Sequence, residues 1–416
     1  MSWKETCVEE QRLLFIAQWL QHEASMSVLC REFGISRKTG YQLVDRYTQA
    51  GVSGLRDRSR APLAHPNAVS PEMEQRILQA RATYSTWGAA KLRSHLLLRE
   101  PETPWPAAST VGDVLQRHGL TVPRRPRPRT PPSPLAVPPL AHATAPNSLW
   151  TIDFKGWFRT GDGQICYPLT VCDAYSRYLL RLQALRQTGI GTVRPLLEAT
   201  FREYGLPWAI RSDNGPPFAS TGLGGLTKLS VWWLKLGIRH ERIAPGRPDQ
   251  NGRHERMHRT LGEEVEAQAN QRRQQHSYGD FRGYWNDERP HQGLDQGQGQ
   301  QTPGSLYVPS PRLYPRRLPE VCYPASMLVR RVRSNGEIRW QCGLSFVSEA
   351  LIGEWVGLQE SDSGQWSLYF MDQALAVWDP GPAKWQSPLP RRTRRSGVLH
   401  VPAQDPAVAA AEGLVP

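Results

Sequence analysis

The chain has 416 residues, with 51 Lys and Arg against 38 Asp and Glu, a formal charge of +13 and a pI near 9.7. That length suggests about three domains, each able to bury a core, and the charge favours a polyanionic partner. The six cysteines are scattered with no Cys-x-x-Cys pair, which excludes a zinc knuckle or disulfide framework, and no apolar run approaches a membrane span. No signal peptide is evident, so a soluble intracellular protein is expected.

The excess charge is concentrated early: through residue 130 there are 19 Lys and Arg against 12 Asp and Glu. Residues 8 to 50 read as helices. Leu13, Leu14, Ile16 and Ala17 suggest an apolar face near the helical period. Met26 to Phe33 would be the first helix of a helix-turn-helix, with Gly34-Ile35 as its turn and Ser36 capping a second helix through about Tyr47. That helix opens with Arg37, Lys38 and Thr39, followed by Gln42, side chains placed to meet base edges in a major groove. The plainer alternative is a three-helix bundle with a solvated basic face.

A second helical unit is expected over residues 63–120. It starts at Ser70-Pro71, with Ser70 as cap and Pro71 in the first turn, and its third helix is capped by Ser109. It reads as another helix-turn-helix, or as a spacer between residues 1–62 and the region from residue 147 onward. Residues 121–146 form a Pro- and Arg-rich linker. Arg124, Arg125, Arg127 and Arg129 on an extended backbone would track phosphates without reading sequence.

From residue 147 the patterning changes. Strands are expected at about 149–155, 165–170, 177–183, 208–212 and 239–243, and helices at 190–204, 226–236 and 249–267. Trp150, Ile152 and Phe154 alternate with Thr151 and Asp153, so the pleat points Asp153 away from the apolar triplet. Asp213 follows Trp208-Ala209-Ile210-Arg211-Ser212 and sits at a strand end. Glu255 rides the long helix, where Met257 and Leu261 lie four apart and face the core. Three carboxylates gathered on rigid elements suit hard divalent cations such as Mg²⁺. A pair of such ions can clamp the attacking and leaving oxygens of a phosphodiester. His254 and His258 have the i, i+4 spacing of a zinc pair, but the carboxylate set accounts better for the region. Asp173 and Asp249 are decoys, the first ending a hairpin and the second capping a helix.

Trp150-Thr151-Ile152-Asp153-Phe154, Ser212-Asp213-Asn214-Gly215 and Asn251-Gly252-Arg253-His254-Glu255-Arg256 together resemble an insertion-sequence transposase with the integrase-type (DDE) core shared by retroviral integrases. Asn286 to His291, followed by Thr302-Pro303, resembles the end of that core. The resemblance implies an RNase H-like fold over residues 147–310, with Asp153, Asp213 and Glu255 as catalytic metal ligands for two Mg²⁺ (or Mn²⁺). It also implies double-stranded DNA as partner, both transposon ends and target, and a homo-oligomer assembled on DNA. Such a protein is expected in the bacterial cytoplasm, at the nucleoid when bound. Lys155, Arg211, Arg247, Arg253 and Arg256 are candidate phosphate contacts. One departure is the spacing: 41 residues separate Asp213 from Glu255, more than the family commonly has. The surplus is expected in the Gly-rich stretch from Ser220 to Gly225, and Glu241, Glu263 and Glu264 are the competing glutamates.

Residues 318–379 carry apolar runs separated by Ser334-Asn335-Gly336 and Ser361 to Gly364 as turn signals, and read as a small β-barrel of about five strands. The resemblance implies a module that binds DNA or another subunit. Residues 380–416 read as a disordered basic tail. The fold class expected is therefore multidomain: all-α helix-turn-helix units, a central α/β core and a C-terminal β-barrel. An inactive DNA-binding regulator and a metal-dependent nuclease are the alternative functions.

Overall fold

The computed structural model describes residues 7–57, 68–121, 142–244, 247–295 and 299–386. It divides into two compact units, Met1–Ser70 and Pro71–Pro416. Arg124, Arg125, Arg127 and Arg129 lie outside the described residues, as does the chain from 387 onward.

The first unit holds α1 (Val8–Leu20), α2 (Met26–Glu32) and α3 (Arg37–Ala50). The buried face of α1 differs from the one expected. Phe15 and Ile16 are buried whereas Leu13 and Leu14 are exposed, because the inward stripe runs Arg12, Phe15, Ile16, Trp19 at three- and four-residue steps. Ser36 caps α3, its Oγ accepting from the Thr39 N–H at 3.1 Å. Helices α2 and α3 touch at Gly40, where a Cβ would stand 2.5 Å from Cys30 Sγ. Arg37, Lys38, Thr39 and Gln42 are all exposed on the outer face of α3.

The second unit begins with α4 (Pro71–Thr83), α5 (Ala89–Arg99) and α6 (Ala108–Arg117). The residue at the α6 cap is Ala107, which leaves Ser109 inside the first turn instead of capping it. These helices pack on an α/β layer built from residues 150–283. Trp87, fully buried, donates from Nε1 to Tyr284 Oη at 2.6 Å, and Tyr84 donates to Glu288 at 2.9 Å.

That layer is a mixed sheet of β1 (Trp150–Phe154), β2 (Phe158–Arg159), β3 (Ile165–Asp173), β4 (Leu179–Leu185), β5 (Ala209–Ser212) and β6 (Arg239–Arg242). β1 pairs antiparallel with β3 and parallel with β5, β5 pairs parallel with β6, and β4 pairs with β3. β3 is buried along most of its length, as a strand covered on both faces must be. One face carries α7 (Ile190–Tyr204) and α8 (Lys228–Lys235), which close over Trp150, Ile152, Leu169 and Val171. The other carries α9 (Gly252–Glu264) and α10 (Gln271–Gly283), whose Met257, Leu261, Tyr278 and Phe281 pack on Cys166, Cys172 and Leu179. The expected strands and helices fall within a few residues of these elements. A short α11 (Pro303–Leu306) begins after Thr302. The N-cap of α9 is Asn251, not the Asp249 expected, because residues 248–251 form a separate tight turn.

The C-terminal strands are β7 (Leu328–Arg331), β8 (Glu337–Trp340), β9 (Gly343–Phe346), β10 (Trp355–Glu360), β11 (Trp366–Phe370), β12 (Gln373–Asp379) and β13 (Lys384–Gln386). They do not close into the expected barrel. An open sheet runs β13-β12-β11-β10-β7, and β8 pairs only with β9, so no ladder among the described residues joins the two edges. β13 also continues the sheet beyond residue 380, where a disordered tail is expected from composition. The module shares its core with the α/β layer: Leu226, Val231 and Leu234 are buried with Val356, Leu358, Leu368 and Phe370. Lys235 Nζ meets Glu354 at 2.8 Å across that junction.

Candidate active site

The parallel register of β1 and β5 sets Thr151 opposite Arg211. Carried two residues further, it brings Asp153 level with Asp213 just past the end of β5, on chains ~4.8 Å apart. The polypeptide needs 59 intervening residues to return there, because a parallel pair requires a crossover. Asp213 is held by the Gly215 N–H, while its Oδ1 is buried with no hydrogen-bond partner among the described residues.

α9 is fastened across β1 and β3 by two histidines one turn apart. His254 Nε2 and His258 Nε2 lie 2.6 and 2.7 Å from Thr170 Oγ1, and His254 Nδ1 lies 2.7 Å from Thr151 Oγ1. Thr170 pairs with Asp153 in the β1–β3 ladder and its hydroxyl is 2.9 Å from the Asp153 carbonyl oxygen. His258 Nδ1 stands 4.0 Å from Asp153 Oδ2. Burial holds both imidazoles neutral, His258 at about 4 with Lys155 adding to the effect. Asp153, His254 and His258 offer ligand atoms within 4.8 Å of one another. Both Nε2 atoms, however, are taken up by the threonine hydroxyl. The i, i+4 spacing is visible in the sequence; the threonine that joins the two histidines, far away in the chain, is not.

Glu255, on the same helix, lies close enough to Asp153 for its charge to be felt there. The Asp153 carboxyl is pushed up to about 7, first by burial, then by the charges of Asp213 and Glu255. Burial also raises Asp213. Glu255 is exposed and has no cation partner among the described residues. The competing glutamates differ. Glu241 is clamped between Arg211 at 3.0 Å and Arg239 at 2.9 Å, and Glu264 is paired with Arg289 at 2.7 Å while accepting from Tyr284. Glu263 is exposed two turns further along α9.

Asp173 is structural. Its Oδ1 accepts the Asn147 N–H at 2.8 Å and its Oδ2 accepts both the N–H and Oγ–H of Ser176 at 2.7 Å. Among the cations, Arg211 is paired with Glu241 and borders a cavity beside the N-terminus of α9. Arg253 and Arg256 are exposed on the first turns of α9, Arg253 donating to the Ala174 carbonyl at 2.8 Å. Lys155 reaches across to Gly262, where a Cβ would stand 3.0 Å from Nζ. The surplus stretch has a packing role: Gly224, at φ +63°, presses on the C-terminal sheet, where a Cβ would lie 2.7 Å from Leu375 Cδ2.

Residues 143–248 and 236–303 match two family models described as integrase core domain. Residues 39–115 match a homeodomain-like domain and residues 11–62 a helix-turn-helix domain. The insertion element IS476 uncharacterized 39.2 kDa protein of Xanthomonas euvesicatoria is 30% identical over 205 residues, 49% of this chain and 54% of that protein. The Gag-Pol polyprotein of avian reticuloendotheliosis virus is 34% identical over 122 residues, 29% of this chain and 10% of the polyprotein. Among solved structures, the simian T-cell lymphotropic virus intasome in complex with PP2A regulatory subunit B56 gamma aligns over 72% of this chain and 99% of that one, at 16% identity and a TM-score of 0.33. The HTLV-2 integrase catalytic core domain in complex with magnesium, trimeric form, aligns over 40% of this chain and 100% of that one, at 15% identity and a TM-score of 0.28. The chain spans about half the length, or much less, of the curated relatives it matches.

Proposed function

We propose that this chain, a member of the insertion-sequence transposases with a retroviral-integrase-type core, cuts transposon DNA ends and joins them to target DNA. The observation that carries the reading is the charge frustration at Asp153. Burial first, then the charges of Asp213 at the end of β5 and Glu255 on α9, raise the proton affinity of Asp153 on β1, and no arginine among the described residues pairs with it. With the Asp213 Oδ1 orphaned, the donor set is all oxygen and anionic, which fits Mg²⁺, or Mn²⁺ in its place. Asp153, Asp213 and Glu255 are assigned to hold a pair of these ions. When bound, such ions neutralise phosphodiester charge and lower the pKa of an attacking water or 3′-hydroxyl.

The chain's own part is positioning. Asp153 must give up its proton before it can ligate, and the Thr170–His254–His258 contacts hold α9 so that Glu255 keeps station. In-line displacement at phosphorus needs no nucleophilic side chain, so rigid placement and charge do most of the catalytic work. Lys155, Arg253 and Arg256 are assigned to DNA backbone. Arg37, Lys38, Thr39 and Gln42 are assigned to base edges of the terminal inverted repeats, with residues 1–62 as the reading domain. Arg124, Arg125, Arg127 and Arg129, in the stretch from 121 to 146, are assigned to phosphate. Joining two ends to one target calls for a homo-oligomer on DNA.

The test is strand transfer: labelled pre-cut end DNA, a plasmid target and Mg²⁺, with wild type beside Asp213→Ala. Joined product from wild type alone supports the reading. Cleavage without joining favours a nuclease, and binding without either reaction favours a regulator.

A further inference from the structure

We propose that a cavity beside the N-terminus of α9, lined by Arg177, Asn251, Arg253, Arg256 and His291 and by none of the three carboxylates, binds a phosphate group, supplied by the DNA backbone next to the reacting position. The cavity has a volume of about 390 Å³.

Arg177 is its central residue. It sits in the β3–β4 turn at φ +64°, its N–H donating to the Asp173 carbonyl at 2.9 Å and its carbonyl accepting from Trp285 Nε1 at 3.0 Å. Its guanidinium lies over Gly293, where any Cβ would collide with it. Its Nε is buried without a partner, and no carboxylate among the described residues pairs with it. The charges felt at Arg177 are those of Arg253 and Arg256, and burial together with these two cations brings it down to about 10.

His291 is the second, independent observation. It is only 7% exposed, its Nε2 has no partner, and its other ring nitrogen is engaged by the Trp285 backbone. The tryptophan ring packs edge-to-face against it at 4.5 Å, and both residues border the cavity. Asn251, 6% exposed, likewise leaves its side-chain Oδ1 without a partner, and turning that amide over presents N–H donors instead. Unmet polar groups at this depth cost free energy unless something fills the space between them.

The acids nearby are already occupied. Asp173 spends both oxygens on Asn147 and Ser176, and Glu241 is paired with Arg211. What is left is a fork of arginines, an imidazole that burial and the surrounding cations keep neutral and whose Nε2 donates only in the other tautomer, and the positive end of α9. That combination suits the tetrahedral oxygens of phosphate.

Inorganic phosphate and a DNA phosphodiester share this chemistry. Position favours DNA. Thr151 on the cavity wall is two residues before Asp153 on β1, a distance of ~7 Å. Neighbouring phosphates of one strand are themselves only several ångströms apart, so the cavity would take a phosphate close to the reacting one along the backbone. The choice of DNA rests on the proposed function; the anion site itself does not.

The experiment uses the full chain in EDTA, which makes both readouts independent of the carboxylates. In one arm, thermal melting is followed in inorganic phosphate and in chloride at matched ionic strength. In the other, binding of a short duplex is followed by fluorescence anisotropy across a salt series. The variants are Arg177→Gln and Gly293→Ala, the second keeping every charge while displacing the guanidinium. We expect phosphate to raise the melting temperature of wild type and of neither variant. We also expect the slope of log Kd against log salt to fall by about one in Arg177→Gln. A phosphate shift with an unchanged slope keeps the pocket and makes free phosphate its occupant. A changed slope without the shift keeps DNA as the occupant. If variants that melt cooperatively match wild type in both arms, the proposal is overturned.

Discussion

The indole N–H of Trp87 donates to the phenol oxygen of Tyr284 at 2.6 Å, and that phenol donates in turn to Glu264 at 3.1 Å. Through this relay the helical layer of residues 71–117 is fixed to α10 and the end of α9. Tyr284→Phe strands a buried indole N–H and leaves Glu264 with Arg289 and Thr86. We expect it to cost about 1–3 kcal/mol, read as a lower urea midpoint with an unchanged slope.

Asp153 gives a pH signature. Its carboxyl moves from 3.8 to about 7 on folding, so between those values the folded chain keeps a proton that the unfolded chain has lost. The stability this group contributes is therefore full below pH ~4 and falls away as pH climbs through about 7. Asp153→Asn should flatten that part of the stability curve. Mg²⁺ should stabilise wild type more at pH ~8 than at pH ~6, because its ligand must be ionised. Melting curves with and without Mg²⁺ check both statements, and an Mg²⁺ effect that weakens with rising pH would count against Asp153 as a ligand.

The glutamates should separate by substitution. Glu255→Gln is expected to abolish detectable strand transfer and weaken Mn²⁺ binding by calorimetry, with little change in melting temperature. Glu264→Gln should do the reverse, because it breaks the buried contact with Arg289 while leaving the carboxylates alone.

Asp173→Ala removes the acceptor of three hydrogen bonds from Asn147 and Ser176. A loss of roughly 3 kcal/mol or more is expected from stranding those donors, with Mn²⁺ affinity unchanged in whatever fraction remains folded. Chemical denaturation and calorimetry on the same sample measure the two effects.

Gly224→Val combines a β-branched side chain at φ +63° with a collision against Leu375. A cost of about 1–3 kcal/mol is expected from backbone strain alone. The damage should appear first as faster proteolysis within residues 328–386, since that sheet shares its core with α8.

Much of this molecule could be read from local pattern. Period-two alternation around Asp153, the Ser36 cap, the apolar step from Met257 to Leu261 and the turn residues of the C-terminal strands each act over a few neighbours. The elements they specify lie close to where expected. The errors have local causes too. α1 turns inward on Phe15 and Ile16 instead of Leu13 and Leu14 because several stripes fit a mostly apolar helix, and the stripe chosen depends on what packs against it.

Other features depend on contacts between residues far apart in the chain. The C-terminal strands form an open sheet because strand pairing is a long-range choice that alternation within each strand does not encode. Glu255 stands apart from Glu241 and Glu264 only once Arg211, Arg239 and Arg289 have reached the other two. The cavity beside the N-terminus of α9 depends on the turn holding Arg177 folding against the segment holding Gly293 and His291. Residue types and spacing were enough to nominate the carboxylates; burial and charge, which only the folded chain supplies, determine which of them share a field and which are neutralised.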